Sequence, residues 1–262
     1  MHPFLIGLRP TLHISHRGGA ALAPENTLVA FQAAVSRHRT DVLELDVQAT
    51  RDGALVVAHD EDLDRCTDHQ GPLAALTLAE LEAVDAGYRF SPDGGATTPF
   101  RGQGVRIPLL REVLRTLPQV RINLELKPSA AGAEDALAAV LRAEDATSRV
   151  CVGSENDEVA KRLLGALPEA CHFYPRLALT ELVLAAKSGL PCPEAPYTVL
   201  DMPLFHEGLR LIDEPFLQAM AAMGKWVNVW TVDDPDEMRR LAREGVGGIM
   251  TDRPDLLRDV LG

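Results

Sequence analysis

Short apolar runs rich in Val, Ile and Leu recur along the chain, and most are followed by a stretch with helical spacing. They stand at Leu12–His16, Val42–Val47, Ala54–Ala58, Ile122–Leu126, Val150–Gly153, His172–Tyr174, Thr198–Leu200, Trp226–Thr231 and Gly248–Thr251. Parallel strands need crossover connections, so strands alternating with helices predict a parallel sheet, and around eight such units predict closure. The expected fold is α/β, a (β/α)8 TIM barrel, with residues 1–262 forming one domain.

Helix punctuation sits where this scheme needs it. Asp234-Pro235 supplies a cap and a first-turn proline, with Gly245 after the last turn, and Asp252 and Pro254 are expected to open the final helix in the same way. Thr77 to Glu80 reads as a capping box, and Gly87 ends the helix that follows. The alternation breaks between about Asp62 and Gly104, where a short helix precedes a Gly/Pro/Thr-rich loop, Ser91 to Gly104. Residues 62–104 therefore read as a small insertion between the second and third barrel strands, and ordered insertions of this kind often cover a site.

Two of the strands carry charge where a core belongs. In Val42–Val47 the alternation puts Leu43, Leu45 and Val47 on one face and Glu44 and Asp46 on the other. With the apolar face against helices, both carboxylates turn into the barrel, at a cost of several kcal/mol unless protons, basic groups or a metal neutralise them. Arg121 to Lys127 alternates likewise, turning Asn123, Glu125 and Lys127 inward. Three carboxylates form an all-oxygen set suited to one divalent cation, Mg2+ or Ca2+, although plain ion pairing remains the competing reading.

His16 ends the first run and His59 follows Ala54–Ala58, so both are expected on the carboxyl-end rim, where barrel enzymes gather catalytic groups. Two imidazoles beside a carboxylate cluster suit a general acid and general base. Arg17 offers a forked cation and Lys127 a point charge, and the combination anticipates a phosphate-bearing substrate. Gly18 and Gly19 are expected to let the backbone turn sharply and approach that substrate.

The totals narrow the partners. In 262 residues, 26 Lys plus Arg stand against 38 Asp plus Glu, a formal net charge of −12. Such a chain is repelled by polyanions, so neither nucleic acid nor stable membrane association is expected, while a small anion in a local positive pocket is allowed. Cys66, Cys151, Cys171 and Cys192 lack paired spacing and read as free thiols. With no leader pattern in Met1–Leu12 and no apolar run of about 18 residues, a cytoplasmic protein is expected. A homo-oligomer is compatible with the sequence.

Taken together, HRGG…PENT at His16–Thr27, ELDVQATRDGALVVAHD at Glu44–Asp60, NLELK at Asn123–Lys127, VNVWTVDD at Val227–Asp234 and GVGGIMTDRP at Gly245–Pro254 resemble the glycerophosphodiester phosphodiesterase family. The pieces run in family order across nearly the whole chain. The resemblance implies metal-dependent hydrolysis of glycerophosphodiesters to glycerol 3-phosphate and an alcohol. It implies Glu44, Asp46 and Glu125 as metal ligands, His16 and His59 as the acid–base pair, and Arg17 and Lys127 as phosphate contacts, with Trp230 as a wall for the glycerol. It further implies that the neighbouring glycerol hydroxyl attacks first, giving a cyclic phosphate that water opens.

Glu25 and Asn26 of the PENT piece suit a helix start equally well. Gly153–Asn156 and Phe173–Arg176 depart from the family pattern at loops that shape the alcohol side. Two other readings compete. A phospholipase D-like or phospholipase C-like barrel is disfavoured by the net charge and by the lack of a clear apolar or basic docking stretch. An inactive glycerophosphodiester-binding protein is disfavoured by the presence of both histidines, the three carboxylates and the arginine.

Overall fold

A computed structural model describes residues 2–7, 9–128 and 131–262. In chain order the strands are β1 (Leu12–Ser15), β2 (Val42–Ala49), β3 (Leu55–Val57), β4 (Arg121–Leu126), β5 (Val150–Gly153), β6 (Cys171–His172), β7 (Val199–Pro203), β8 (Phe205–His206), β9 (Leu209–Arg210), β10 (Trp226–Trp230) and β11 (Gly248–Thr251). Eight of them run parallel in the order β6-β5-β4-β2-β1-β11-β10-β7. The ring is completed by a parallel bridge between Phe173 and Val199, where Tyr174 N–H donates to the Val199 carbonyl at 2.8 Å. The expected barrel is therefore present.

β3 does not belong to that ring. It pairs antiparallel with the end of β2, Val57 opposite Val47 and Leu55 opposite Ala49. The third apolar run is thus a hairpin return: the chain leaves the barrel along β2, reverses through Arg51–Gly53, and comes back down to the rim. Three residues of Leu-Val-Val satisfy strand propensity without saying which neighbour they pair with.

The helices are α1 (Leu28–His38), α2 (Leu78–Leu81), α3 (Leu110–Thr116), α4 (Ala133–Ala143), α5 (Asp157–Ala166), α6 (Arg176–Lys187), α7 (Glu214–Ala222), α8 (Pro235–Glu244) and α9 (Pro254–Leu261). The outward residues of β2 and β4, Leu43, Leu45, Ile122 and Leu124, are fully buried against Phe31 and Ala34 of α1 and Leu137 and Leu141 of α4. Side chains of this size contribute about 1.5–3 kcal/mol each on burial. The opposite parity fills the barrel, and its bottom is closed by Leu12, Ile14, Val42, Cys151 and Cys171 with Phe4 and Leu5 beneath.

The predicted caps hold at Asp234, Gly245 and Thr77. The insertion has a small core of its own, Leu63, Leu73, Leu81 and Val84 against Val56 of β3. All four cysteines are free thiols. Among the described residues no helix is long and apolar enough to cross a membrane.

Candidate active site

The site begins at the HRGG turn. Arg17 has φ 50°, Gly18 85° and Gly19 97°, a run of left-handed backbone. A Cβ on Gly18 would lie 2.8 Å from Ala30 Cβ and one on Gly19 2.7 Å from Pro254, so the glycines let the turn press against α1 and α9. They serve the packing of the turn against these helices. The turn aims the Arg17 N–H at Glu44 Oε2, at 2.8 Å.

Both histidines are oriented by carboxylates. His16 Nδ1 lies 2.7 Å from Asp252 Oδ1, and His59 Nδ1 lies 2.7 Å from Asp60 Oδ1, leaving each Nε2 unclaimed by these partners. Burial works against protonation of His16, but the Asp252 hydrogen bond and the Glu44 carboxylate outweigh it and raise its pKa above the usual value. Asp252 is therefore not the helix cap expected from sequence: α9 begins at Pro254 after Arg253, with no side-chain cap. The Asp252 and Thr251 groups are themselves held by Asp233 Oδ1, at 2.9 Å and 2.7 Å. His59 is fixed through its backbone, since the Gln48 amide donates to the carbonyls of Ala58, His59 and Asp60 at 3.0, 3.0 and 2.7 Å.

The three carboxylates share one wall. β2 and β4 are in register with Glu44 opposite Asn123 and Asp46 opposite Glu125, so Asp46 and Glu125 are neighbours at one level and Glu44 lies one layer deeper. Lys127 Nζ bridges the upper pair, 2.9 Å from Asp46 and 2.7 Å from Glu125. Burial opposes ionisation of Asp46, but Lys127, Arg17 and the Asn26 hydrogen bond overcome it and hold its carboxyl below the usual range. For Glu44, burial and the Asp46 charge outweigh His16 and Arg17 and push it up to about 8. Glu125 is also raised, chiefly by burial.

Sequence reasoning left the roles of Glu25 and Asn26 open, and here both are hydrogen-bonded to residues of the site. Asn26, at φ 57°, donates to Asp46 Oδ2 at 2.9 Å, while Thr27 is the side chain that caps α1. Glu25 accepts from Arg17 at 2.9 Å and from both terminal nitrogens of Arg65 at 2.7 Å. Arg65, on the insertion, also reaches Asp60 at 2.5 Å. A chain of ion pairs thus runs from His59 through Asp60, Arg65 and Glu25 to Arg17 and Asp46. No motif spacing points to Arg65, because it meets its partners through folding of the insertion.

A cavity of about 620 Å3 lies at the barrel mouth. His16, Arg17, Glu44, Asp46, His59, Glu125 and Lys127 lie along it, as does Trp230, so every predicted site residue meets there. The cavity continues past them between β6, β7, β10 and α6, where the lining turns apolar.

Among the described residues no three His, Cys, Asp or Glu side chains form a ready ligand cluster, and Lys127 stands between Asp46 and Glu125. The donor set nevertheless fits a divalent cation. Its oxygen donors, Glu44, Asp46 and Glu125, all line the same cavity.

A model described as the glycerophosphoryl diester phosphodiesterase family matches residues 16–256. A glycerophosphodiester phosphodiesterase from Caldanaerobacter subterraneus subsp. tengcongensis is 32% identical over 252 residues, covering 94% of this chain and 96% of the relative. The glycerophosphoryl diester phosphodiesterase domain of a Mycobacterium tuberculosis protein shares the fold, with a TM-score of 0.86 at 23% identity over 96% of this chain and 99% of that one. A phosphodiesterase from Oleispira antarctica, solved in complex with the product sn-glycerol-3-phosphate, gives a TM-score of 0.71 at 26% identity over 95% of each chain.

Proposed function

Because the chain belongs to the glycerophosphoryl diester phosphodiesterase family and is a phosphoric diester hydrolase, we propose that it cleaves glycerophosphodiesters such as glycerophosphocholine or glycerophosphoethanolamine to sn-glycerol 3-phosphate and the free alcohol. The observation that carries this reading is one cavity holding two imidazoles, each with Nδ1 on a carboxylate at 2.7 Å, beside a buried guanidinium. The product found in the Oleispira relative supports the assignment of sn-glycerol 3-phosphate.

In the proposed reaction one imidazole takes the proton of the attacking oxygen and the other protonates the departing alkoxide. The phosphorus–oxygen bond to the alcohol breaks as the new one forms. One water is consumed overall, its oxygen ending on phosphorus and a proton on the alcohol. Arg17 Nε is buried without a hydrogen-bond partner among the described residues, a donor suited to a phosphoryl oxygen that gains charge in the transition state. Lys127 adds positive charge beside it, and the Trp230 ring would flank the glycerol. Glu44, Asp46 and Glu125 would hold the divalent cation, Mg2+ or Ca2+, which when bound supplies Lewis-acid stabilisation of those oxygens. The proposed setting is the cytoplasm, with a small-molecule substrate.

A coupled assay for glycerol 3-phosphate across a panel of glycerophosphodiesters tests the reading. Turnover is expected, lost with EDTA and regained with Mg2+ or Ca2+. Activity untouched by EDTA would remove the carboxylates from catalysis, and absence of turnover with retained glycerophosphocholine binding would make the protein a binder.

A further inference from the structure

Below the ionic groups of the site lies a polar layer that the proposed reaction does not use. Strand register sets Asn123 beside Glu44 and Asp201 beside Asn228, one layer deeper than the pairs Asp46 with Glu125 and Pro203 with Trp230. In this layer Asp201 of β7 accepts from the Asn123 amide of β4 at 2.7 Å and from the Asn228 amide of β10 at 2.8 Å. Burial raises its pKa against those two hydrogen bonds, and no cation stands against it among the described residues. Barrel interiors are usually filled with branched apolar side chains, so a carboxylate held only by neutral amides is kept here at a cost in stability.

The layer is built around that carboxylate. Trp226 Nε1–H donates to Asn228 Oδ1 at 3.1 Å, which turns the Asn228 NH2 group toward Asp201. Gly248 makes room for this amide, since a Cβ there would lie 2.4 Å from Asn228 Oδ1. Asn123 is turned by Asp201 itself, because the opposite orientation would set two oxygens against each other. Its Oδ1 is thereby left buried with no partner among the described residues. A carboxylate has about four lone-pair sites, and two bonds to Asp201 leave the others open. Asp201 and Asn123 both line the cavity, so its floor offers acceptors to whatever lies above. We propose that Asp201 is a specificity-determining residue whose carboxylate, with Asn123 Oδ1, accepts from the terminal hydroxyl of the substrate's glycerol. The inference rests on the hydrolase reading above, which sets the glycerol against Trp230, one layer over Asn228 and Asp201. The neighbouring hydroxyl stays close to phosphorus, and the terminal one is left to reach the floor. No bond forms or breaks at Asp201; it fixes which way the glycerol lies.

The test removes that hydroxyl from the ligand and the acceptor from the protein. Binding of sn-glycerol 3-phosphate and of propane-1,2-diol 1-phosphate, which lacks only the terminal hydroxyl, is measured calorimetrically in Mg2+ buffer. A hydrogen bond to a carboxylate predicts that wild type binds the first about ten- to a hundredfold more tightly. Asp201→Asn keeps the shape but loses the charge and turns an N–H into the layer, and is expected to bring that ratio below about threefold. Its melting temperature reports that it folds. Asn123→Ala removes the second acceptor, leaves Asn228 holding Asp201, and is expected to cut the ratio at least about twofold, so it reads the same layer should Asp201→Asn not fold. Equal affinities in wild type, or the wild-type ratio in a folded Asp201→Asn, overturn the proposal. So does an equal loss of both ligands in that variant, which would make the layer purely structural.

Turnover separates this inference from the one beneath it. Glycerophosphocholine and 2-hydroxypropylphosphocholine, the diester without the terminal hydroxyl, are expected to differ about ten- to a hundredfold in kcat/KM with wild type, and the gap should close in Asp201→Asn. Hydrolysis of both diesters at the same kcat/KM defeats the floor site alone. Discrimination in binding with no hydrolysis of either defeats the hydrolase reading and upholds the floor. Glycerophosphoethanolamine distinguishes a donor on the alcohol: if Asp201→Asn removes a preference for it over glycerophosphocholine while the terminal-hydroxyl ratio stays, Asp201 holds an ammonium group and the proposal falls.

Discussion

The barrel mouth is divided into two unlike halves. From β1 to β4 it presents His16, Arg17, Glu44, Asp46, Glu125 and Lys127; from β6 to β10 it presents Phe173, Met202, Pro203 and Trp230, with the leucines of α6 beside them. On the first side nearly every ionic group is tied to another, as Lys127 is to Asp46 and Glu125 and Arg17 is to Glu25. Removing one member there leaves a buried charge behind. Around β6–β10, apart from Asp201 and its partners Asn123 and Asn228, volume and shape are what a substitution changes. The polar half is thus built for chemistry at a cost in stability, while the other half rests on ordinary core packing.

The sharpest way to break this comparison is a pair of substitutions. His59→Ala is expected to lower kcat for glycerophosphocholine by about 10²–10⁴-fold with little change in melting temperature, since its side chain is one-third exposed. Leu200→Ala, in the core behind β7, is expected to cost about 2–5 kcal/mol of stability while kcat of the folded enzyme stays near wild type. Denaturant melts and steady-state kinetics on both variants decide. If His59→Ala unfolds the protein, or Leu200→Ala removes turnover below its melting range, the division of labour is wrong.

Glu44→Gln probes the cost of the polar half. Glu44 is pushed up to about 8, so in the metal-free enzyme it keeps a proton that the unfolded chain releases near its ordinary value of 4.5. Its folded pKa is raised, and wild-type stability is therefore lost as pH climbs from 4.5 to about 8. Gln keeps an acceptor for the Arg17 N–H and cannot ionise. In EDTA the variant should be more stable at pH 7 by up to ~3 kcal/mol, with the gap closing near pH 5. Denaturant melts across that range would contradict the burial argument if the gap were constant. Added Mg2+ or Ca2+ should raise the melting temperature of wild type more than that of the variant.

What was legible in the sequence follows the same division. The alternation in Val42–Val47 and Arg121–Lys127 was enough to turn Glu44, Asp46 and Glu125 into the cavity, because strand parity is a local property. Of the carboxylates that orient the histidines, Asp60 adjoins His59 in the chain, whereas Asp252 is 236 residues from His16, and Arg65 meets Glu25 40 residues away through an irregular insertion. Asp252 beside Pro254 looked like a cap because capping chemistry and histidine orientation use the same carboxylate. β3 was read without its antiparallel direction, which depends on a turn at Arg51–Gly53 rather than on composition. The apolar half carried no motif, since Leu179, Val183 and Leu184 are what any helix offers until the hairpin residue Leu209 appears across from them.

Asp252→Asn tests the orienting carboxylates directly. The side chain still accepts from His16 but no longer carries the charge that helps raise its pKa. The limb of the pH–rate profile that follows His16 should move to lower pH, whichever way that ring transfers its proton, and kcat at pH 7 should fall about tenfold. An unmoved limb would mean that Asp252 only packs against the ring.

The smallest effect is expected where the network reaches solvent. Arg65 is about half exposed, yet it grips the largely buried Glu25 with two bonds and Asp60 with a third. Exposed pairs contribute at most about 1 kcal/mol, so Arg65→Ala should reduce kcat by no more than about fivefold. It should act through the orientation of His59 and not through the bound phosphate, leaving KM near wild type. Lys at this position restores charge without the fork and should recover only part of the loss. Half-exposed charges are screened by salt, so the difference between wild type and Arg65→Ala should shrink as ionic strength rises. A gap that persists in high salt would show that the insertion holds His59 by packing, and the polar half would then depend on its apolar neighbours more than its charges suggest.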